Sequence, residues 1–309
     1  MKISVAIASY NGEKYIEEQL QSILDQTRKV DQVIICDDCS KDDTEGVVRE
    51  FIKNNKLEDS WSFEVNSSNL GYASNFIKAL NKTDGDYVFF CDQDDIWIKD
   101  RVEKMVKVME ENSKVMLLGS EFEPFASTAD APKPHDWELK TFKNDESLEH
   151  LEFNAKNVFI GCQGCTMCMR RSFLDKVKDY WYAGWAHDEY VWKLALCLDG
   201  LYFYHKITLK RRLHSNNVTL HTEHKNEQRI RYLDELLSSH QQTLKFAEDI
   251  GLDEDSIHLL KRNIQATKLR LSLIKEKKIF NTIKLLIGYT DCYHKCRSIP
   301  VELMMAVRG

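Results

Sequence analysis

Short apolar runs alternate with longer amphipathic segments through the first 119 positions of this 309-residue chain. We predict buried strands over residues 3–8, 32–36, 61–65, 87–91 and 114–119. Between these runs apolar residues recur at helical spacing, as at Ile16, Leu20 and Ile23. The alternation predicts an α/β fold of Rossmann-like type, in which a mostly parallel sheet has helices on both faces.

The remainder of the chain is less regular. Residues 120–155 lose the pattern and predict an irregular insertion near the site. Strand character returns over 158–169, helices are expected from Ser172 and from about Gly184 to Leu198, and two strands are expected over 201–204 and 208–213. After His221 the pattern is helical to the end. We therefore expect a sheet domain over 1–220, in halves 1–119 and 120–220, and an all-α appendage over 221–309.

Polar turns follow the predicted strands, and in a parallel sheet these turns lie along one edge. The turns contain Asn11, Asp37, Asp38, Asn69 and Asp92 to Asp95. Ser40 and Asp43 also have the spacing of a capping box for the second helix. The carboxylates after the run Tyr87–Phe90 are hard oxygen ligands that suit Mg²⁺ or Mn²⁺. Turn formation or helix capping is the alternative role for such an acidic cluster.

Charge and cysteine content narrow the functional classes. The net charge is −6, and residues 268–309 carry +6 of positive charge, which leaves −12 on the rest. An acidic body argues against nucleic acid as the main partner. Nine cysteines without a secretion signal suggest reduced thiols and a cytoplasmic protein. Cys165 and Cys168 lie in a strand-like run that would send them to opposite faces, which argues against a metal–thiolate site.

Seven segments occur in the order of a known family: VAIASYNGEKYIEEQLQSILDQT, VIICDDCSKDDT, NLGYASNF, GDYVFFCDQDDIW, GCQGCTMCMRRSF, GWAHDEYVW and RRLHSNNVT. Together they resemble the inverting nucleotide-sugar glycosyltransferases of family 2, which have the GT-A fold, and most closely the rhamnosyltransferase-like branch. The resemblance covers roughly the first 220 residues. It implies nucleotide contacts from Ala8, Ser9, Asn11, Asn69, Gly71 and Asn75. It also implies that Asp37, or less favourably Asp38, holds the pyrimidine or ribose.

The same resemblance assigns roles around the acidic stretch. Asp92-Gln93-Asp94 corresponds to the DXD motif, in which Asp92 tends toward the ribose and Asp94 binds Mn²⁺ or Mg²⁺. His214 matches a residue that can reach the metal or the diphosphate, although a hydrogen-bonded surface histidine is the alternative. Arg212 could contact the diphosphate or could be a solvated charge on a strand.

Asp188 matches the catalytic base of the family, which accepts a proton from the acceptor hydroxyl. Glu189 is the rival carboxylate, but adjacent helical residues point about 100° apart, so only one of them can face the sugar. A helix N-cap role for Asp188 is the structural alternative.

The implied function is a metal-dependent inverting glycosyltransferase that moves a sugar from dTDP-rhamnose or a UDP-hexose to a hydroxyl of a glycan or lipid-linked oligosaccharide. Bacterial cell-surface polysaccharide or glycoconjugate synthesis is the implied context. A sugar nucleotidyltransferase and a non-catalytic glycan-binding protein on a degenerate GT-A fold are the alternatives. A sugar nucleotidyltransferase would be expected to have a Gly-rich loop with lysine after the first strand, and this sequence has Ser9-Tyr10-Asn11-Gly12 there instead.

An amphipathic basic segment lies in the predicted appendage. Phe280, Ile283, Leu286 and Ile287 recur at helical spacing, with Lys277, Lys278 and Lys284 nearby. Such a helix could lie on the inner face of an anionic membrane, contact a second subunit, or pack on the catalytic domain. The sequence leaves these three partners open.

Overall fold

A computed structural model describes residues 1–132, 139–215, 226–295 and 298–308. The predicted boundary between residues 220 and 221, and Cys296, lie outside these ranges. The strands are β1 (Ile3–Ser9), β2 (Gln32–Asp37), β3 (Trp61–Val65), β4 (Tyr87–Asp92), β5 (Ile96–Trp97), β6 (Leu117–Ala126), β7 (Leu148–His150), β8 (Cys168–Arg170) and β9 (Leu201–Leu213). The helices are α1 (Ile16–Leu24), α2 (Thr44–Asn54), α3 (Tyr72–Lys82), α4 (Arg101–Glu111), α5 (Arg171–Val177), α6 (His187–Cys197), α7 (Asn226–Asp249), α8 (Glu254–Lys275), α9 (Asn281–Gly288) and α10 (Ser298–Arg308).

The strands form one mixed sheet in the order β3-β2-β1-β4-β8-β6-β9-β5, with β7 paired to β9. The first four strands in this order are parallel. Antiparallel β8 then separates β4 from β6, and β6 runs parallel to β9. The mostly parallel sheet of the predicted α/β fold is therefore confirmed in its first half and becomes mixed in its second half.

Alternation along the central strands divides the core into two layers. Val5 and Ile7 of β1 pack with α1, α2 and α4, whereas Ala6 packs with α3, α5 and α6 on the other face. In β4, Phe89 and Phe90 divide between the same two layers. Because successive side chains of a strand point to opposite faces, strands covered by helices on both sides are apolar throughout.

Four local predictions of strands and helix capping were wrong. The strand β6 continues to Ala126 because residues 117–126 pair with β9, so this part of the region predicted to be irregular is regular. The two strands predicted over 201–204 and 208–213 are the single strand β9, which continues past a register shift. Between 158 and 169 only β8 at the end is a strand, and Gly164–Thr166 forms a 3₁₀ turn. That turn puts Cys165 and Cys168 in the same core layer rather than on opposite faces.

The fourth concerns the start of α2. Ser40 does not cap this helix: its hydroxyl donates to Asp37 Oδ1 at 2.5 Å, and its backbone N–H donates to Asp37 Oδ2 at 2.8 Å. Asp43 occupies the N-cap position without a side-chain cap bond. Ser40, which the local spacing assigned to a capping box, therefore binds the Asp37 carboxylate at the end of β2 instead.

The helices after residue 226 pack around a buried ion cluster. Glu302 of α10 is fully buried and accepts hydrogen bonds from Arg229 Nε of α7 at 2.9 Å and from Arg270 Nη2 of α8 at 2.8 Å. Tyr293 also donates its hydroxyl to Glu302 at 3.4 Å. One carboxylate thus ties three helices together. In the described parts of the chain, none of the helices combines the length and the apolar character that a membrane crossing needs.

Replacing Glu302 with alanine is expected to lower the free energy of unfolding by about 3–5 kcal/mol, because Arg270 would stay buried without its counter-charge. Urea titration followed by circular dichroism measures the loss. Glu276→Ala, at an exposed carboxylate, is the matched control and should change stability little. A Glu302→Ala protein as stable as this control would contradict the structural role of the cluster.

Candidate functional site

The carboxyl ends of three strands meet at one edge of the sheet. Ala8 of β1 lies between Cys36 of β2 and Asp92 of β4 in the strand register. Ser9, the next residue, pairs with Asp37. Parallel strands that pair in this way bring the turns following them together. The edge predicted to carry the polar turns is therefore formed by the register of β1 with its two neighbours.

The Asp37 carboxylate is buried and bonded by protein donors. Ser9 Oγ donates to Asp37 Oδ1 at 2.9 Å, and both the hydroxyl and the N–H of Ser40 donate to the same side chain. Ser40 Oγ in turn accepts the N–H of Asn11 at 2.8 Å, and Asn11 Oδ1 accepts the N–H of Lys41, also at 2.8 Å. Asp37 therefore joins the loop after β1 to the loop after β2.

Asp38 holds the next loop. Its Oδ1 accepts the N–H of Leu70 at 2.7 Å and the amide of Asn66 at 2.9 Å, and its Oδ2 accepts the N–H of Gly71 at 2.8 Å. Asn69 donates its side-chain amide to the backbone carbonyl of Asp38. Gly71 has φ +82°, which favours glycine, and precedes α3. The structure thus gives Asp38 a scaffolding position beneath the loop that carries Asn69 and Gly71.

Asn75, expected on the nucleotide side, is buried between the ends of β1 and β2. Its amide donates to the carbonyl of Cys36 at 2.8 Å, and its Oδ1 accepts from Asn66 Nδ2 at 2.8 Å. Buried backbone carbonyl and side-chain amide groups of this kind require hydrogen-bond partners. The side chain therefore fixes strand ends.

Gln93 is a residue whose role the sequence did not reveal. Its Oε1 accepts the N–H of Tyr10 at 2.8 Å, and its Nε2 donates to the carbonyl of Tyr10 at 2.9 Å. The middle residue of the DXD motif therefore binds the loop after β1 by two backbone hydrogen bonds. This pairing is visible only in the tertiary structure, since the two residues are 83 positions apart in the sequence.

Asp92, Asp95 and Cys165 lie together, with one metal-capable atom of each within 4.8 Å of the others, and Asp92 is partly exposed whereas the other two are buried. Burial, with a smaller contribution from Asp94, raises the pKa of Asp92 to about 7. Burial likewise raises the pKa of Asp95 and of the Cys165 thiol well above their ordinary values. Because Mg²⁺ and Mn²⁺ prefer oxygen ligands to thiolates, the presence of Cys165 makes this trio a poor site for either ion.

Asp94 and His214 meet at the same edge. His214 Nε2 lies 2.7 Å from Asp94 Oδ2, and its ring stacks on Tyr15 at 5.1 Å. A carboxylate oxygen and an imidazole nitrogen so close together are a donor pair that fits Mn²⁺, so these two residues could hold a divalent ion. The structure thus brings together the two residues predicted as metal ligands, across 120 positions of sequence.

Arg212 is buried on β9, so the alternative of a solvated charge was wrong. Its Nε donates to the carbonyl of Asp94 at 2.7 Å, and its guanidinium pairs with Glu18. The guanidinium also lies over the rings of Tyr15 and Phe125. Arg212 therefore supports the backbone of the acidic stretch and the partner ring of His214.

Asp188 lies in the first turn of α6 and faces the loop before β8. A methyl group at Gly164 would lie 3.1 Å from Asp188 Cβ and 3.6 Å from its Oδ2, so glycine permits this close approach. Asp188 is not the N-cap, since α6 begins at His187 after Ala186. The charge of Asp188 contributes to the raised pKa of Asp92, which puts the two carboxylates within electrostatic reach.

Glu189, the rival carboxylate, is engaged elsewhere. Its Oε1 accepts from Lys193 Nζ at 2.7 Å, and that buried ammonium also donates to Ser239 Oγ of α7 at 2.6 Å. Glu189 thus belongs to a buried link between α6 and the C-terminal helices. The divergence expected for adjacent helical residues separates the two carboxylates.

A family model described as Glycosyl transferase family 2 matches residues 4–177, more than half of the chain. The chain belongs to glycosyl transferase family 2. This confirms the family that the seven segments indicated.

Curated relatives of this family 2 chain match parts of it. The putative teichuronic acid biosynthesis glycosyltransferase TuaG of Bacillus subtilis is 34% identical over 160 residues, which are 52% of this chain and 59% of that protein. The dTDP-rhamnosyl transferase RfbG of Shigella flexneri is 37% identical over 103 residues, 32% of this chain and 35% of that protein. The matches thus span less than two thirds of these relatives.

Solved structures agree in fold. Residues 1–349 of S. aureus TarS in complex with UDP-GlcNAc superpose with a TM-score of 0.65 at 18% identity, covering 99% of this chain and 79% of that chain. The mannosyltransferase PcManGT of Pyrobaculum calidifontis, in complex with GDP-Man and Mn²⁺, gives a TM-score of 0.55 at 17% identity, covering 99% and 86%. The predicted GT-A fold of this family 2 chain is confirmed.

Replacing Asp38 with alanine is expected to lower the free energy of unfolding by about 2–3 kcal/mol, because the buried amide of Asn66 and the partly buried N–H groups of Leu70 and Gly71 lose their acceptor. Asp38→Asn keeps one acceptor oxygen and should lose less. Urea titration without any nucleotide measures both. Equal stability of Asp38→Ala and the unmodified protein would contradict the scaffolding position and favour a ligand-contacting one.

Proposed function

We propose that this chain transfers a sugar from a nucleoside-diphosphate sugar to a hydroxyl of a glycan acceptor, with inversion at the anomeric carbon. The observation that carries the proposal is the convergence of the Asp94–His214 pair with Asp188 at the edge formed by β1, β2 and β4. His214 Nε2 lies 2.7 Å from Asp94 Oδ2. The negative charges of Asp94 and Asp188 both contribute to the raised pKa of Asp92. Membership of family 2 favours this reaction over nucleotidyl transfer.

The nucleotide would lie along the turns after β1 and β2. Nine residues are proposed to line or support this region: Ala8, Ser9, Asn11, Asp37, Asp38, Asn69, Gly71, Asn75 and Asp92. Asp37 is proposed to meet the pyrimidine or ribose through Oδ2, which accepts the N–H of Ser40 and has a second lone pair. Asn75 and Asp38 would act through the backbone they hold. Arg212, which pairs with Glu18, is the cation proposed to reach the diphosphate.

Asp94 and His214 are the residues proposed to hold Mn²⁺ or Mg²⁺. A bound divalent ion would offset the negative charge that develops on the departing diphosphate. Asp94 is then the principal protein ligand, and His214 completes the set with a neutral imidazole nitrogen.

Asp188 is proposed as the general base. The acceptor oxygen forms a bond to the anomeric carbon while the bond from that carbon to the diphosphate oxygen breaks, and the hydroxyl proton passes to the Asp188 carboxylate. Attack opposite the leaving group inverts the configuration. Glu189 is less suited, because Lys193 binds it.

The donor is proposed to be dTDP-rhamnose or a UDP-hexose, and the acceptor a glycan or a lipid-linked oligosaccharide of a bacterial cell-surface polysaccharide or glycoconjugate. RfbG is named a dTDP-rhamnosyl transferase, and TarS was solved with UDP-GlcNAc. Thermal stabilisation by a panel of UDP, dTDP and GDP sugars, with and without Mn²⁺, tests the donor class. Metal-dependent stabilisation by a UDP or dTDP sugar is expected, and a response to none of the panel would contradict the proposal.

The Asp188→Asn variant is expected to lose transfer by about 10²–10⁴-fold, because asparagine cannot accept the proton. Donor binding should persist, since the amide oxygen can still accept the N–H of Glu189. Transfer kinetics and donor calorimetry measure the two effects. The matched neighbour Glu189→Gln should keep most of the transfer rate. Comparable losses in the two variants, or an unchanged rate in Asp188→Asn, would remove Asp188 from the base role.

Removal of either proposed metal ligand should weaken Mn²⁺ binding. Loss of an outer-sphere partner alone costs about 10–100-fold in metal affinity, so Asp94→Ala and His214→Ala should each lose at least that much. Calorimetric titration of Mn²⁺ in the presence of UDP or dTDP measures it without turnover. Glu50→Ala, at an exposed carboxylate on α2, is the control. Wild-type affinity in Asp94→Ala would exclude it as the principal ligand.

A further inference from the structure

The short helix α9 has its polar and apolar faces reversed relative to an ordinary surface helix. Its packed face contains Asn281, Thr282 and Leu285, and Asn281 Nδ2 donates to Ser272 Oγ of α8 at 2.6 Å. The opposite face is apolar and exposed. A surface helix normally buries its apolar stripe and presents polar residues to water.

We define the α9 apolar face as Ile279, Phe280, Ile283, Leu286 and Ile287. Phe280 is 84% exposed and Ile287 is 83% exposed. The five side chains fall within nine consecutive positions and make up five of the fourteen large exposed hydrophobic residues in the described ranges. A contiguous apolar patch, unlike scattered single residues, marks an interaction surface.

Positive charge borders this face. Lys277 and Lys284 are exposed, and Lys284 lies one residue after Ile283, about 100° around the helix. Lys278, also exposed, pairs with Glu276. Residues 268–309 carry a net charge of +6 on a chain whose total is −6. Apolar side chains bordered by lysines match a surface with negative headgroups above an apolar interior.

Two other partners fit less well. A standard protein interface takes roughly 20–30 residues a side, far more than five side chains on two helical turns. A two-fold contact between copies would also gather the lysines of both copies around one apolar contact, since the same patch faces itself. Packing on the rest of the chain is already accounted for by the opposite face of α9.

We propose that the α9 apolar face docks the protein on an anionic lipid bilayer, with Phe280, Ile283 and Ile287 entering the boundary between headgroups and acyl chains. Lys277 and Lys284 contact the lipid headgroups. The inference stands on the exposed face and its charges and does not depend on the proposed glycosyl transfer.

Flotation of the full chain with vesicles tests this. Vesicles of equal parts phosphatidylglycerol and phosphatidylcholine should carry the protein upward, and vesicles of phosphatidylcholine alone should carry much less. Phe280→Ser/Ile287→Ser should lower the partition coefficient by about tenfold or more, because two inserted side chains are lost. Lys277→Gln/Lys284→Gln should lower it by a similar factor on anionic vesicles, at about 1 kcal/mol per lysine near the surface.

Matched substitutions elsewhere serve as controls. Ile250→Ser removes an exposed apolar side chain outside the face, and Lys53→Gln/Lys114→Gln removes two exposed lysines on other parts of the chain. Both should float like the unmodified protein, and circular dichroism melts should show that all variants fold. Absence of flotation, equal flotation on both vesicle types, or flotation unaffected by the serine pair would overturn the proposal. Dimerisation in solution that the serine pair abolishes, without vesicle binding, would assign the face to a second copy.

Discussion

The parallel pairing of β1 with β2 on one side and β4 on the other is the constraint on which the site depends. This register puts Ser9 beside Asp37 and Ala8 beside Asp92, so that turns from three separate parts of the sequence share one edge. A slip of one residue in either pairing would turn the side chains of a strand to the other face and separate these groups. The side chains of β1 are apolar and buried on both faces, where they pack with two helical layers.

Buried polar side chains then hold the turns in place. Asn75 ties the ends of β1 and β2, Asp38 holds the loop before α3, and Gln93 binds the backbone of Tyr10. Each of these bonds joins segments distant in sequence, and the buried bond from Asn75 would be costly to leave unmade. Hydrogen bonds also fix the position of Asp94, because Arg212 donates to its carbonyl and His214 contacts its carboxylate.

The sequence predicted the strands and helices of the first 119 residues well, because apolar periodicity reports burial directly. It predicted the meeting of Asp94 with His214 through the order of the family motifs. It could not assign Ser40 to Asp37, or Gln93 to Tyr10, because a hydrogen bond across the sheet leaves no local pattern. The 3₁₀ turn at Cys165 was also missed, since an apolar run of that length suits a strand or a buried turn equally well. Helical spacing alone did not distinguish Asp188 from Glu189 as the proposed base. The distinction rests on the buried ammonium of Lys193, which pairs with Glu189.

Asp94 and His214, rather than the trio of Asp92, Asp95 and Cys165, are proposed to hold a divalent ion at the edge near Asp188. Anomalous diffraction at the manganese edge, from crystals grown with Mn²⁺ and UDP or dTDP, measures this directly. The account predicts one anomalous peak in contact with Asp94, His214 and the diphosphate of the nucleotide. A peak enclosed by Asp92, Asp95 and Cys165, or nucleotide bound with no metal at this edge, would contradict it.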